Sequence, residues 1–442
     1  MGVMMQAFYW DCPGITGCEY GWWDAVNRKL PALAQAGFTA LWLPPASKAA
    51  SQKSMGYDPY DYYDLGEFDQ KGGVPTWFGT RAALEGLIRS AHAAGLQVYA
   101  DLVFNHNSGA DAPEVNPLDG EARWTKFTPR SGQFPRDWTC FHPSPYELRD
   151  FECFGGMPDL CHRNPRVYIE LIKYCRWLLE DVGFDGFRYD CVRGFGSWMI
   201  RSIQELRALR DGVRFMPYAV AEFWDTDRVI DDWLGGTDAF AENPAGAFDF
   251  PLRWRLRDMC ETPGYSLRGL AQDGVLVWDR PRDAVTFVEN HDVCRDSPVV
   301  HDKLMAYAFI LTHEGYPCVF WQDYFDFELG QPDNASGIAA LVAAHEKHAG
   351  GSTRVLFVDD DLYVMQRDGC GTACGLVLVL NNRGTWHGTT VQTRWSGTRL
   401  HAVAWRGRDD AGVPGEKWTD ADGRCDLWAP PRGYAVYVPA AG

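Results

Sequence analysis

Eight short apolar runs recur along roughly the first 350 residues, and helices with one apolar face separate most of them. Parallel strands need a crossover of a dozen or more residues between them, usually a helix. That alternation constrains the fold more than any other feature. MMQAFYW (4–10) comes first, followed by a helical pattern from Trp23 to Ala36 with Val26, Leu30 and Leu33 on its apolar face. TALWLPP (39–45) precedes a helix around Thr80–Ala94, which ends at Gly95 and feeds LQVYADLVFNH (96–106). Val167–Asp181 reads as a helix ending at Gly183 before GFRYD (186–190), and Trp198–Leu209 as a helix before YAVAEFW (218–224). AFDF (247–250), AVTFVENHD (284–292) and YPCVFW (316–321) complete the set. Repeated βα units of this kind predict a (β/α)8 TIM barrel, longer than the usual ~250 residues because of insertions.

Two stretches break the pattern. Residues 107–161 are rich in Pro, Gly and Asp and lack periodicity. A structureless loop of that length is uncommon in a compact domain, so an inserted subdomain is expected. From residue 351 onward, RVLFVDDDLYVMQRDG, ACGLVLVLNNRG and GYAVYVP read as strands joined by turns, which predicts a C-terminal antiparallel β-sandwich. The expected division is a barrel of residues 1–106 and 162–350, an insertion of 107–161 and a sandwich of 351–442.

Composition excludes several classes. The net charge is -17 and Lys/Arg runs are absent, so no nucleic-acid partner is expected. No run of about 18 apolar residues appears, so no transmembrane helix is expected. The start of the chain shows no basic region followed by an apolar stretch, hence no visible signal peptide. That leaves open a cytoplasmic protein or the mature form of a secreted one. The 13 cysteines are scattered without CxxC pairs and read as buried free thiols. A monomer is expected.

In a TIM barrel the chemistry sits at the C-terminal ends of the strands. Asp101, Asn105 and His106 end the third strand, Arg188 and Asp190 the fourth, Glu222 the fifth, and His291 and Asp292 the seventh. Carboxylates from several strands suggest glycoside hydrolysis, which needs one protonated and one ionised carboxyl group about the scissile bond. Arg188 shares a strand face with Asp190 and is expected to keep it ionised. Glu222, in an apolar context, is placed to act as the acid. On pattern alone a metal-dependent lyase or isomerase on the same fold stays open.

DLVFNH (101–106), GFRYDCVRG (186–194), AEFW (221–224) and FVENHD (287–292), with MPDL (157–160) at the end of the insertion, carry a resemblance. In them the chain resembles an α-amylase of glycoside hydrolase family 13, most closely its archaeal and plant-type branch. MQAFYWD, LWLPPAS, MGYDPYDYYDLGEF, FDFPL and AYAFILTHEGYP extend the likeness over nearly the whole chain. The resemblance implies retaining hydrolysis of internal α-1,4-glucosidic bonds in starch or glycogen. It makes Asp190 the nucleophile, Glu222 the general acid/base and Asp292 the transition-state stabiliser. It also implies sugar contacts for Tyr57, His106, Arg188, Arg193 and His291. Arg193-Gly194 stands where many members have Lys-His.

The same resemblance implies a structural calcium ion held by Asn105, Asp150, Asp159 and the Gly194 carbonyl. A zinc site is a weaker implication. His142 and Cys161 match two of its ligands, Leu148 and Arg149 replace a cysteine pair, and Cys140 and Cys153 lie near enough in sequence to substitute. Two rivals to an endo-acting hydrolase remain: a glucanotransferase or maltogenic member of the family, and a catalytically inactive glucan-binding protein.

Overall fold

The computed structural model describes residues 2–151, 153–238, 242–331, 334–408 and 412–440. Eight parallel strands close into a barrel: β1 (Met4–Gln6), β2 (Ala40–Leu43), β3 (Gln97–Leu102), β4 (Gly186–Tyr189), β5 (Tyr218–Ala221), β6 (Gly246–Phe248), β7 (Ala284–Phe287) and β8 (Tyr316–Phe320). Sequence neighbours are also neighbours in the barrel, and β8 pairs with β1 through Met4↔Cys318. Nearly every strand residue is buried, which is why these runs read as apolar rather than alternating. Among the described residues, no helix is long and apolar enough to cross a membrane.

The chain forms two compact units, one of Ala7–Ala32 and Ala40–Phe248, the other of Met1–Gln6, Leu33–Thr39 and Asp249–Gly442. The first carries β2 to β6. Register in it places Asp101 of β3 opposite Arg188 of β4, and Arg188 opposite Val220 of β5. The stretch 107–161 runs through an antiparallel hairpin, Ala112–Val115 with Ala122–Lys126, and a short 3-10 turn at Trp138–Cys140.

The second unit carries β1, β7, β8 and the C-terminal sheets. A six-stranded antiparallel sheet takes Thr353–Val358, Leu362–Arg367, Leu376–Asn381, Gly433–Pro439, Arg399–Arg406 and Lys417–Trp418 in that order. His387–Gln392 and Arg424–Ala429 form a separate pair. Val364, Val377, Val379, Leu400 and Tyr437 of the large sheet share a core with Val391, Cys425 and Leu427 of the pair, which is sandwich packing.

Two helices depart from expectation. The pattern over 23–36 forms two helices, Trp22–Asn27 and Leu30–Ala36, with Pro31 in the first turn of the second. Proline has no N–H to continue a helix and suits a first turn. The pattern over 198–209 forms a helix only at Ser197–Gln204. It gives way to a hairpin of Ala208–Arg210 with Val213–Phe215, whose loop residues Asp211 and Gly212 both have left-handed φ (51° and 78°). An Asp-Gly pair is a strong signal for such a two-residue turn, and here it outweighs the helical periodicity.

Candidate active site

The ends of β3, β4 and β5 meet around Arg188, which is fully buried. Its Nη1 donates to Asp101 Oδ1 and to Asp190 Oδ1, both at 2.8 Å, and its Nη2 lies 2.8 Å from Glu222 Oε2. A buried charge is costly unless paired, and this one is paired three times. The guanidinium also lies 5.0 Å from the ring centre of Trp42 and 5.8 Å from that of Tyr57. Both rings bind the same acid: Trp42 Nε1 (3.0 Å) and the Tyr57 hydroxyl (2.8 Å) donate to Asp101 Oδ2.

Glu222 is held at both oxygens. Trp224 Nε1 donates to Oε1 at 2.6 Å, and the Cys191 N–H donates to Oε2 at 3.0 Å. That N–H is aimed by an unusual backbone, since Cys191 sits at φ 45°, ψ 45° directly after Asp190. A non-glycine residue in this region is strained by about 1–3 kcal/mol and marks a site that needs the geometry.

The expectation that Arg188 keeps Asp190 ionised requires adjustment. Burial pushes the Asp190 carboxyl well above the usual carboxylate range; Arg188 pulls it down, and Glu222 and Asp101 push it up again. Asp101 is likewise raised, chiefly by burial, against the pull of Arg188. One guanidinium divided among three carboxyls offsets only part of the loss of water at Asp101 and Asp190.

Tyr57 stacks on Trp10 (5.9 Å between ring centres, 9° between planes). Its carbonyl lies 2.9 Å from His106 Nε2, and the His106 ring is covered by Phe154 at 4.9 Å. Burial lowers the pKa of His106, which favours neutral imidazole. Arg193 is exposed on the short turn Val192–Gly194.

His291 and Asp292 lie beyond β7 in the other compact unit. Gln6 Nε2 is 2.9 Å from His291 Nδ1, which leaves the histidine's Nε2 to face Asp292. That Nε2 is 3.3 Å from Asp292 Oδ2, and the Asp292 side chain is 27% exposed.

The calcium expectation meets a suitable donor set. Asn105 Oδ1 and Asp159 Oδ1 are buried acceptors without a hydrogen-bond partner among the described residues. A Cβ at Gly194 would fall 1.8 Å from Asn105 Oδ1, so only glycine leaves that oxygen its place. Burial and the charge of Asp159 push the Asp150 carboxyl up to about 7 against the pull of His142. Hard oxygen donors of this kind suit calcium.

His142 adjoins this group. Its Nδ1 is 2.8 Å from Asp159 Oδ2 and 3.7 Å from Asp150 Oδ1, and its Nε2 is 3.5 Å from Glu147 Oε2. Among the described residues, two groups bring three metal-capable donors together: His142 with Asp150 and Asp159, and His142 with Glu147 and Cys161. Cys140 is buried and Cys153 exposed, and neither joins those groups; the Cys153 thiol lies 3.9 Å from Asp159 Oδ2. Glu147 escaped the sequence reading, as did the grip of Trp42 on Asp101. Glu147 lies in a loop without periodicity, whereas Trp42 was visible as an inward-facing strand residue.

Carboxyl groups clustered at the strand ends of a parallel barrel are the equipment of a glycoside hydrolase. A family model described as "Alpha amylase, catalytic domain" matches residues 13–207, and one described as "Alpha-amylase C-terminal" matches 376–438. The chain is 33% identical over 426 residues to an alpha-amylase of Geobacillus stearothermophilus, covering 83% of this chain and 75% of that protein. It is 34% identical over 406 residues to the glucan 1,4-alpha-maltohexaosidase of Bacillus sp. (strain 707), covering 79% and 76%. In fold it matches the crystal structure of the α-amylase from Geobacillus thermoleovorans complexed with acarbose, with a TM-score of 0.71 at 20% identity over 100% and 98% of the two chains. The chain belongs to the α-amylase family, glycoside hydrolase family 13, and is a glycoside hydrolase.

Proposed function

We propose that this α-amylase-family enzyme cleaves internal α-1,4-glucosidic bonds of starch and glycogen with retention, using Asp190 as nucleophile and Glu222 as general acid/base. The observation that carries the reading is the single guanidinium of Arg188, 2.8 Å from each of these carboxyls. An inverting enzyme keeps its carboxyls about 6.5–9.5 Å apart to admit water, and a retaining one about 5–5.5 Å. Sharing one guanidinium supports the closer spacing.

As general acid, Glu222 gives a proton to the glycosidic oxygen while Asp190 attacks the anomeric carbon. The carbon–oxygen bond breaks and an Asp190 ester forms. Glu222 then takes a proton from water, which displaces Asp190 from the same carbon. The family resemblance makes Asp292 the third carboxyl, gripping sugar hydroxyls, and gives Tyr57, His106, Arg193 and His291 sugar contacts. Trp224 and the Cys191 N–H keep Glu222 in one orientation throughout.

The reading includes a barrel of residues 1–106 and 162–350, an inserted subdomain of 107–161 and a sandwich of 351–442. Asn105, Asp150, Asp159 and the Gly194 carbonyl would hold calcium. The ion would supply a structural cross-link and no catalytic step. His142, Cys161 and Glu147 form the alternative zinc set, in place of the cysteines at 140 and 153. Arg193-Gly194, and the spacing of nine positions from Asp150 to Asp159, favour the archaeal and plant-type branch within the family. The maltohexaosidase among the relatives favours a second reading, release of products of one preferred length.

Asp190→Asn and Glu222→Gln test the assignment. Each is expected to lower starch hydrolysis by about 10²–10⁴-fold or more without unfolding the chain. In Glu222→Gln an activated substrate should leave a sugar ester on Asp190, seen by peptide mass spectrometry. Full activity in either variant defeats the assignment, and sizing of early starch products separates random internal cleavage from a single product length.

A further inference from the structure

Arg253 is the least expected charge in the second unit. It lies in the first turn of the helix Phe250–Glu261, fully buried. Burial is costly for a cation, and the positive end of a helix dipole makes this position worse. Its partners account for its presence. Nε donates to the Val288 carbonyl at 3.1 Å, Nη1 to Ser297 Oγ at 3.0 Å, and Nη2 to Glu289 Oε2 at 3.0 Å and the Ser297 carbonyl at 2.6 Å. One guanidinium thus ties the end of β7 to a point eight residues further on. Glu289 extends the tie: its Oε1 accepts from the Val299 N–H at 2.6 Å and lies 3.4 Å from Lys303 Nζ.

The tied segment carries His291 and Asp292. Within it, Asn290 Oδ1 accepts from the backbone N–H groups of Asp292 (2.9 Å) and Val293 (2.8 Å), so Asp292 has little freedom once the two ends are fixed. We infer that Arg253 and Glu289 are positioning residues, a buried clamp that sets the place of Asp292 and His291 without touching substrate. The inference rests on the reading of Asp292 given above. A group misplaced by about 1 Å costs on the order of 10²-fold in rate.

Arg253→Lys keeps the charge but loses the fork that reaches four acceptors. The expected result is a kcat lower by about 10–100-fold with KM nearly unchanged, measured well below the melting temperature of the variant. Loss of one partner from a buried pair can unfold a protein, so the double variant Arg253→Met/Glu289→Met is the deciding one. Exchange of a buried pair for apolar groups of similar size is often neutral for stability. The double variant should fold, and its kcat should stay low. A stable double variant with the wild-type kcat overturns the clamp, as does a rate loss that vanishes once stability is restored. Asp292→Asn is measured alongside. If it retains full activity, the reading of Asp292 falls and the inference with it. If it is inactive while the double variant works normally, only the clamp falls.

Discussion

At the ends of β3, β4 and β5, three carboxyl groups gather around Arg188, whereas in the insertion Asp150 and Asp159 gather around His142. Both clusters are largely buried and both carry more acid than base. They differ in the cation. A guanidinium is charged at every accessible pH and offers a rigid fork of donors. An imidazole carries charge only when protonated, and here burial opposes that charge while Asp159, Cys161 and Asp150 restore it, to about 10. The first cluster draws its cation from the chain itself. The second leaves Asn105 Oδ1 and Asp159 Oδ1 without partners among the described residues. The difference lies in what each cluster has at its centre: a fixed cation from the chain in one, and acceptor oxygens without hydrogen-bond partners among the described residues in the other.

The sharpest way to break the comparison is to remove the fixed cation. Arg188→Met leaves three buried carboxyls without their partner, a change that costs about 3–5 kcal/mol when one side of a buried pair is lost. The loss has a direction in pH. Without Arg188, the folded-state pKa values of Asp101 and Asp190 rise further above their unfolded values near 3.9. Stability is then greatest below about pH 4 and falls as pH rises through the folded pKa values. The deficit of the variant relative to wild type should therefore narrow between pH 7 and pH 5, as chemical denaturation at the two pH values would show. A deficit independent of pH would mean that Arg188 contributes packing rather than charge.

The second cluster is tested from the other side, by blocking its oxygen. Gly194→Ala sets a methyl group against Asn105 Oδ1, where overpacking costs roughly 1–3 kcal/mol. With calcium bound at this place, wild type gains melting temperature on addition of Ca²⁺ after chelation, because a ligand bound only to the folded state stabilises it. Gly194→Ala should lose most of that gain. An undiminished calcium response in the variant would move the ion elsewhere.

The two clusters were not equally legible in the sequence. Asp190, Glu222 and Arg188 fall on or just after strands whose period is 2, so strand placement alone puts them at one end of the barrel. Asp150, Glu147 and His142 lie on loops, where no period relates sequence distance to space; the approach of Glu147 to His142 follows only from the path of the chain. The Arg253 clamp was hidden for a similar reason. It joins residues 36 and 44 positions apart, and its existence depends on which way the first turn of a helix faces. The hairpin at Asp211-Gly212 was the opposite case. Its turn signal was present in the sequence and a competing helical pattern obscured it.

A third acid places the comparison on a scale. Asp111, in the same insertion as Asp150, is paired with Lys71 at 2.9 Å, but both side chains reach water. Burial is the largest single influence and raises its carboxyl, yet hydrogen bonds from Lys71, Thr128 and Tyr60 together prevail and lower it to about 2. A carboxyl lowered on folding adds stability that is fully present above its unfolded pKa, about 3.9, and is lost as pH falls through about 2. Solvent screening limits the effect, since exposed pairs contribute about 0–1 kcal/mol. Asp111→Asn should thus change stability at pH 7 far less than Arg188→Met does, and it should flatten acid unfolding below pH 4 rather than shift behaviour near neutrality. Denaturation curves of the variant and wild type at pH 7 and pH 3 decide it: a larger difference at pH 3 than at pH 7 would show that the geometry of the loop, and not the charge of Asp111, is what the substitution disturbs.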